Sequence, residues 1–261
     1  MEIAEVSARD RERARLHEAL RKDEFELYSQ SIVALDERSD WHMAEVLIRL
    51  RQEEKALLPP GDFLPAFELF GMLPLLDAWV LRHVVQRHLA GHSGRRFSIN
   101  ISGPTLEHAA FVRLFAQLIV STGVPAECIL FEIEESDILL RAQAAQAFAD
   151  AIHALGGGIV IDGFGGRSLS IAPLKALQPE YVKIDGGITR RVADDESCVL
   201  KCTSIRRLGE TLGIGIIAEC VEAPEAVERL KAIGVALAQG YGISLPQPIE
   251  APPPARELAA A

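Results

Sequence analysis

Charged and amide side chains stand at or near the C-terminal ends of the short apolar runs of this 261-residue chain. The residues concerned are Glu45, Asn100, Glu132, Asp162, Lys183, Glu219 and Gln239. The acids and amides among them offer oxygen donors, with no histidine or cysteine, and such donors suit Mg²⁺, Mn²⁺ or Ca²⁺ better than zinc. Because an unpaired buried carboxylate is costly, four acids converging in one place would need cations to hold them.

Two hard cations held by carboxylates, with a lysine nearby, form a common arrangement for the in-line hydrolysis of a phosphodiester. For any one of these acids another interpretation stays open, an ordinary ion pair with Arg49 or Lys183 at the rim of the site. For the set as a whole, cation binding is the favoured interpretation.

The elements that must position these residues alternate between short apolar runs and longer amphipathic segments, a pattern typical of a parallel sheet with crossover helices. Strands are predicted over residues 25–33, 43–50, 96–101, 128–133, 158–161, 181–184, 215–218 and 237–239. Helices are predicted over residues 74–90, 104–121, 139–155, 196–212 and 224–233. Because only residues 34–42 separate the first two strands, these two are expected to pair antiparallel.

Eight strands with crossover helices fit a TIM-like α/β barrel better than a doubly wound sheet, since no GxGxxG turn follows a strand. The polar residues would then meet at the C-terminal face of the barrel, where such folds place their active sites.

The composition restricts the partners of the chain. It has 27 basic and 37 acidic residues, a net charge of −10, and 49% of its residues are apolar. This excess of acids offers no broad basic surface, so neither DNA nor RNA is expected as a partner. No apolar stretch approaches the roughly 18 residues of a membrane span, and the first residues lack the pattern of a signal peptide. A soluble, cytoplasmic protein is expected.

With these residues identified, the chain resembles the EAL-domain family of bacterial cyclic di-GMP phosphodiesterases and receptors from about residue 25 to residue 249. The matching motifs are LYSQSIVAL, EVLIRL at the place of the signature EAL, PPGDFLPAFE, LDAWVL, INIS, FEIEES, DGFG, YVKID, AECVE and QGYGISLP. The resemblance implies a modified TIM (β/α)8 barrel whose first strand runs antiparallel. We predict this barrel over residues 25–250, an N-terminal helix or connector over 1–24 and a tail over 251–261.

Active members of the family use two Mg²⁺ or Mn²⁺ ions to hydrolyse cyclic di-GMP to linear pGpG, and the resemblance carries roles to matching positions. The first metal would be held by Glu45, Asn100, Glu132 and Asp162. Asp162 and Glu219 would hold the second metal. Lys183 would position or polarise the attacking water, and Glu219 would act as a base, so the predicted catalytic residues are Glu45, Lys183 and Glu219.

The resemblance also implies ligand-binding and supporting residues. The ligand-binding set is Gln30, Leu47, Arg49, Phe63, Pro65 and Gln239. Within it, the Arg49 guanidinium suits a phosphate oxygen, and Phe63 and Pro65 would border a guanine. In supporting roles, Glu135 matches the acid that anchors the loop after the 158–161 strand, and Glu222 matches a residue beside the site. A homodimer and an upstream sensor or GGDEF domain in a longer protein are further partners that the family suggests.

One departure from the family pattern falls in the metal site. Active members carry two consecutive aspartates in DDFGTGYSSL, whereas this chain has Asp162 followed by Gly163. The substitution removes a carboxylate from the second-metal side and changes the loop that couples dimerisation to the site. In addition, Val46 replaces the signature alanine, and Glu134 replaces a threonine.

The sequence leaves three functional hypotheses, in order of preference. The first is a divergent EAL domain that binds cyclic di-GMP as a signalling receptor, with weak or no phosphodiesterase activity. The second is an active Mg²⁺- or Mn²⁺-dependent phosphodiesterase in which water or Glu219 replaces the missing aspartate. The third is a protein-interaction module that has lost the nucleotide. The retained Gln30, Leu47 and Arg49 favour the first over the third, and Gly163 favours the first over the second.

Overall fold

A central β-barrel organises the computed structural model of this chain. The structure describes residues 2–35, 43–52, 56–89, 95–167 and 171–249. In these ranges the strands are β1 (Phe25–Ala34), β2 (Met43–Gln52), β3 (Ala56–Leu58), β4 (Arg96–Ile101), β5 (Ile129–Glu134), β6 (Gly158–Phe164), β7 (Tyr181–Ile184), β8 (Gly215–Ala218), β9 (Leu237–Ala238) and β10 (Gln247–Pro248).

Helices connect and surround the strands. They are α1 (Glu2–Arg21), α2 (Pro60–Leu69), α3 (Leu73–His83), α4 (Gly103–Leu106), α5 (Ala109–Thr122), α6 (Glu135–Leu140), α7 (Ala142–Ala154), α8 (Ala172–Leu177), α9 (Gly186–Thr189), α10 (Glu196–Leu212) and α11 (Pro224–Ile233). Helix α3 continues as a π-helical segment over Val84–Leu89. Among the described helices, none is long and apolar enough to cross a lipid bilayer.

Eight of the strands close into the barrel. β1 and β2 pair antiparallel, with Phe25 opposite Leu50 and Ile32 opposite Met43. β2 pairs in parallel with β4, and parallel pairing then continues in chain order to β9. β9 pairs antiparallel with β1 and completes the ring, while β3 and β10 extend β2 and β1. The predicted TIM-like α/β barrel with an antiparallel first strand is confirmed.

The barrel interior has an apolar floor beneath a polar level. The floor consists of Ile32, Met43, Leu130, Val160, Ile217 and Leu237. Side chains two positions apart share one face of a strand. The polar level lies two positions beyond the floor residues. On the strands that run parallel, or just after their last residue, it consists of Glu45, Glu132, Asp162, Glu219 and Gln239. On β1, which runs the opposite way, Gln30 takes the equivalent place two positions before Ile32.

The larger hydrophobic core lies between the outer wall of the barrel and the helices. Phe131 of β5 packs edge-on against Phe115 of α5, with ring centroids 5.1 Å apart. Phe111 and Phe148 complete this cluster around the same ring. Neighbouring residues of β5 therefore serve opposite purposes, since Phe131 anchors the strand to helices while Glu132 faces the barrel interior.

Two helices predicted as continuous are divided in the structure. The helix predicted over 104–121 forms α4 and α5, and the one predicted over 139–155 forms α6 and α7 with a break at Arg141. Asp77 of α3 accepts hydrogen bonds from Ser102 and Thr105, which fixes the first turn of α4 against α3. Both breaks fall on polar residues, Glu107 and His108 in the first case and Arg141 in the second.

The structure describes only part of the three segments predicted over residues 1–24, 25–250 and 251–261. Helix α1 occupies most of the region predicted as an N-terminal helix or connector. The tail predicted over 251–261 lies outside the described residues, and the division of the chain into these three segments stays a prediction.

Candidate functional site at the barrel mouth

Lys183 lies at the centre of the polar level. Its Nζ is 2.6 Å from Glu132 Oε2 and 2.8 Å from Glu45 Oε2, and its side chain is 1% exposed. The third residue of β7 therefore joins carboxylates that come from β2 and β5. Lys183 is not at the rim: the ion pair left open as an alternative is present, but it lies inside the barrel.

Glu45 is held by amide side chains as well as by Lys183. Asn100 Nδ2 donates to Glu45 Oε1 at 2.7 Å, and Gln239 Nε2 donates to Glu45 Oε2 at 2.7 Å. Gln239 Nε2 also lies 3.1 Å from Gln30 Oε1, and Gln30 Nε2 donates to the carbonyl of Ser244 at 2.8 Å. These bonds connect Glu45 to β4, to β1 and to the end of β9.

The expectation that Glu45 lies near the end of its strand is wrong. Glu45 is the third residue of β2. Beyond the barrel, β2 continues to Gln52 and pairs there with β1 and β3. The apolar run was therefore longer than the part of the strand that belongs to the barrel wall.

Asp162 and Glu219 form a second acidic pair whose carboxylates lie within hydrogen-bonding reach of each other. The backbone N–H of Gly163 donates to Asp162 Oδ1 at 2.9 Å. The backbone N–H of Gly186 donates to Glu219 Oε1 at 2.7 Å. Main-chain donors from β6 and from the first residue of α9 thus orient both acids.

The charges of this cluster are unbalanced. Burial disfavours ionised Glu45, but the Lys183 ammonium and the hydrogen bonds from Lys183, Gln239 and Asn100 together outweigh burial and lower the pKa of Glu45. Burial together with the Glu45 carboxylate raises the pKa of Glu132 to about 8, and burial together with Asp162 raises the pKa of Glu219 to about 8. Burial also raises the pKa of Asp162. Because one ammonium cannot balance four ionised acids at close range, Glu132 and Glu219 hold their protons to higher pH than exposed acids do.

The oxygen donors of this set suit a divalent cation, but the described side chains would have to move to hold one. Glu132 Oε1 is buried and has no hydrogen-bond partner among the residues that the structure describes. In the same residues, no three acidic, histidine or cysteine side chains converge closely enough to hold an ion. Lys183 occupies the place between Glu45 and Glu132, so cation binding requires its ammonium to withdraw from at least one carboxylate.

A cavity of about 530 Å³ opens above the polar level. Asn100, Glu132 and Asp162 contribute to its base, and Leu47 and Leu64 to its walls. The predicted ligand-binding residue Leu47 therefore lies at the cavity. Gln30 and Gln239 lie beside Glu45 in the polar level beneath it.

Arg49 lies two residues beyond Leu47 on the same face of β2. Its guanidinium carbon is 5.8 Å from the centre of the Tyr28 ring, and Nη1 donates to the carbonyl of Ile48 at 2.9 Å. No salt bridge of Arg49 with a carboxylate is present among the described residues. Arg49 is not among the residues lining the cavity, so its predicted contact with a phosphate oxygen stays a prediction.

The structure does not bring Phe63 to the cavity. Phe63 is 3% exposed and packs against Phe25 with ring centroids 5.6 Å apart. Residues 63 and 67 share the face of α2 that covers the barrel wall, whereas Leu64 faces the cavity. Pro65 is exposed on α2 but is not among the residues lining the cavity.

The predicted supporting residues lie apart from each other. Glu135 is buried, and its carboxylate lies near the backbone N–H groups of Gly165 and Arg167. Burial raises the pKa of Glu135, opposed by the backbone of Gly165 and Arg167 in the loop after β6. Glu222 is exposed, with Oε1 at 3.4 Å from Arg190 Nε.

One wall of the cavity includes an ion pair, Asp137 with Arg141, that was not predicted from the sequence as part of the site. Arg141 Nη1 lies 2.7 Å from Asp137 Oδ1, and the backbone N–H of Gly103 donates to Asp137 Oδ2 at 3.1 Å. The spacing of Asp137 and Arg141 predicts an ion pair on a helix. Only the fold shows that this pair borders the cavity.

Gly163 follows Asp162 at the position where active family members carry a second aspartate. Its φ is +66°, in the left-handed region, and the pairing of β6 with β7 is irregular between Ile161 and Phe164. A Cβ built on Gly163 would lie 4.0 Å from Glu134 Cγ. Glu134 is exposed and lines the same cavity, and Ser136 Oγ donates to its Oε1 at 2.7 Å.

A closed α/β barrel with an acidic, lysine-containing mouth defines this chain as a TIM-type barrel suited to hard cations. The family profile described as EAL domain matches residues 13–246. The chain belongs to the EAL domain family.

Named relatives share this domain. The chain is 32% identical over 238 residues to the cyclic di-GMP phosphodiesterase PdeF of Escherichia coli (strain K12), covering 90% of this chain and 32% of that protein. It is 31% identical over 238 residues to the cyclic di-GMP phosphodiesterase PdeB of Shewanella oneidensis, covering 90% of this chain and 28% of that protein. The chain thus spans about a third of the length of these relatives.

Solved structures have the same fold. The PaMucR phosphodiesterase in a c-di-GMP complex matches with a TM-score of 0.83 and 28% identity, covering 91% of this chain and 98% of that one. The Xanthomonas citri FimX EAL domain in complex with c-diGMP matches with a TM-score of 0.84 and 23% identity, covering 95% and 98%. The second likeness concerns the fold alone.

Proposed function

We propose that this chain binds cyclic di-GMP at the barrel mouth together with divalent cations, and that it acts mainly as a receptor with weak phosphodiesterase activity. The observation that carries this proposal is the excess of carboxylates beneath an open cavity. A phosphodiester anion can approach such a base only with cations between them. The ligand named for PaMucR and the activities named for PdeF and PdeB support the choice of nucleotide.

The roles of the residues follow from their positions. Bound Mg²⁺ or Mn²⁺ would act as a Lewis acid and make a bound water more acidic. The first cation would be held by Glu45, Asn100, Glu132 and Asp162, and the second by Asp162 and Glu219. Lys183, released from one carboxylate, would hold the attacking water by donating a hydrogen bond, and Glu219 would accept its proton. Arg49 would bind a phosphate oxygen.

Weak hydrolysis is proposed because of Gly163. The second-metal side receives no carboxylate from this position, and the nucleophile of a two-metal mechanism depends on both ions. A fully active phosphodiesterase is the second candidate, supported by the close Asp162–Glu219 pair and by the buried Lys183. Because the chain spans about a third of its relatives, an upstream sensor or GGDEF domain and a homodimer belong to the proposal as well.

The test combines turnover with binding. Purified protein is incubated with cyclic di-GMP and Mg²⁺ or Mn²⁺, and pGpG is followed by chromatography. Binding is measured by calorimetry with Ca²⁺ in place of these metals. We expect binding with slow turnover, and loss of cation-dependent binding in Glu45→Ala but not in Glu228→Ala, which removes an exposed acid of α11.

Two outcomes would contradict the receptor. Rapid turnover that is abolished in Glu45→Ala would identify a phosphodiesterase. Absence of binding under every condition would leave the protein-interaction module.

A further inference from the structure

Glu134 lies beside Gly163, the position at which this chain lacks a carboxylate. In the parallel register, Glu134 of β5 pairs with Asp162 of β6. Neighbouring strands lie about 4.8 Å apart. A Cβ on Gly163 would come 4.0 Å from Glu134 Cγ. A carboxylate carried by residue 163 and the carboxylate of Glu134 would therefore reach the same small volume.

The strand geometry directs Glu134 toward the site. Leu130, Glu132 and Glu134 alternate along β5 and share one face, and Leu130 and Glu132 of that face lie inside the barrel. Glu134 is one step nearer the mouth and lines the same cavity as Glu132 and Asp162. Glu134 therefore extends the polar level toward the mouth of the barrel.

The Glu134 carboxylate is also free to move. The structure gives it no salt bridge among the described residues, and its hydrogen bond is the one from Ser136 at the exposed start of α6. Turning the exposed side chain toward Asp162 thus gives up one solvent-accessible hydrogen bond and disturbs no packing. The buried and unpartnered Glu132 Oε1 belongs to the first cation position and indicates that the mouth takes a cation. Asp162 would be shared by that position and the second one.

We propose that Glu134 supplies, from β5, the carboxylate that this chain lacks at residue 163 on β6. With Asp162 and Glu219 it completes the second cation position. The inference rests on the proposed function, which gives the reason for bound cations. Because Glu134 is longer than an aspartate, comes from the neighbouring strand and is not held by packing, it binds the ion more weakly than an aspartate at 163 would.

The test counts bound Mn²⁺ without measuring catalysis. Manganese is titrated into the protein, and bound ions are counted from the loss of the free Mn²⁺ signal in electron paramagnetic resonance, with affinities from calorimetry. Four proteins are compared: wild type, Glu134→Gln, the double variant Glu134→Gln/Gly163→Asp, and Glu68→Gln. The last is the matched control, because Glu68 is an exposed acid on the α2 wall of the same cavity.

We expect two ions in the wild type and in Glu68→Gln. Glu134→Gln should lose the weaker ion or bind it at least tenfold less tightly, and Gly163→Asp should restore it in the double variant. Two ions of unchanged affinity in Glu134→Gln, an equal loss in Glu68→Gln, or a single ion in the wild type would each overturn the inference. Cyclic di-GMP binding, measured on the same samples with Ca²⁺, reports the proposed function separately.

Discussion

Lys183 acts as a built-in counter-ion for the barrel. Its ammonium bridges Glu45 and Glu132, and both carboxylates outweigh the effect of burial, so that the pKa of Lys183 lies well above its usual value. Removing one partner from a buried ion pair leaves an uncompensated charge, at a cost of about 3–5 kcal/mol. In a protein without the Lys183 ammonium, a divalent cation bound by Glu45 and Glu132 would supply the missing positive charge.

Lys183→Met is therefore expected to lower the free energy of unfolding by about 3–5 kcal/mol in buffer containing a chelator. Added Mn²⁺ should restore more stability to this variant than it gives to the wild type, because the ion no longer competes with an ammonium. Urea unfolding with and without Mn²⁺ measures both effects. Lys175→Met, which removes an exposed lysine of α8, is the control and should change neither quantity. Equal responses of Lys183→Met and wild type to Mn²⁺ would contradict this competition.

Gly163 offers a second test at the scale of a single residue. Gly163→Asp restores the family carboxylate at a left-handed position, where a side chain costs roughly 1–2 kcal/mol. Gly123→Asp is the matched control, since Gly123 has φ +70° and, like Gly163, a Cβ there meets no backbone within 4 Å. Both variants should lower the melting temperature to a similar extent.

Only Gly163→Asp should raise the rate of pGpG formation, by at least tenfold, equivalent to about 1.4 kcal/mol of the barrier. An unchanged rate would assign the weak activity to the altered loop after β6 instead of to the missing carboxylate. An increase in Gly123→Asp would mean that backbone strain, not the added acid, alters turnover.

Contacts between elements explain which parts of the fold were predictable. The strands over 96–101, 181–184 and 215–218 and the helices over 196–212 and 224–233 were predicted with the observed bounds, because their patterns are local. The anchoring of the start of α4 was not predicted, because it depends on Asp77, 25 residues before Ser102. Helix α2, with the short β3 and β10, was not predicted either.

The site residues divide in the same way. Most of the polar level could be predicted from strand ends and a period of two, but Glu45 lies near the start of β2 and only the period of two places it there. The burial of Phe63 could not, because it depends on the face of α2 that contacts the barrel wall.

Asp77 joins α3 to the start of α4. Its Oδ2 accepts hydrogen bonds from Ser102 N at 3.0 Å, Ser102 Oγ at 2.6 Å and Thr105 Oγ1 at 2.5 Å. Burial nevertheless raises the pKa of Asp77 to about 6, from an ordinary value of 3.8. A carboxyl whose pKa is raised by folding binds its proton more tightly in the folded state, so its contribution to stability is present below pH 4 and is lost as the pH rises through about 6.

This contact predicts a pH-dependent difference between wild type and Asp77→Asn. The stability of the wild type relative to the variant should fall by up to about 3 kcal/mol between pH 4 and pH 7, the equivalent of the pKa shift. Urea unfolding at intervals across this range measures the difference, which cancels contributions of other carboxylates. Asp150→Asn, an exposed position on α7, should track the wild type. A difference that is independent of pH would contradict a raised pKa for Asp77.

At the scale of the whole molecule, an acidic protein must bind an anionic ligand. The chain has a net charge of −10, and its mouth concentrates acids around one ammonium. Without divalent cations, the field of the mouth repels a dinucleotide that carries two phosphates, and Arg49 alone offers a weak attraction. Cation binding and nucleotide binding should therefore be linked, each strengthening the other.

This linkage predicts how much cyclic di-GMP raises the thermal stability of the domain with and without divalent cations. At a concentration one hundred times its Kd, cyclic di-GMP bound with Ca²⁺ should stabilise the fold by about 2.7 kcal/mol. For a chain of this size that corresponds to a rise of roughly 5–10 °C in Tm, measured by scanning calorimetry. With a chelator, the same nucleotide concentration should produce no shift, and Glu45→Gln should lose the shift that Glu228→Gln retains. An equal rise with chelator present would show that the nucleotide binds independently of the acidic mouth, because a site that needs cations to offset its carboxylates cannot hold the dinucleotide once they are removed.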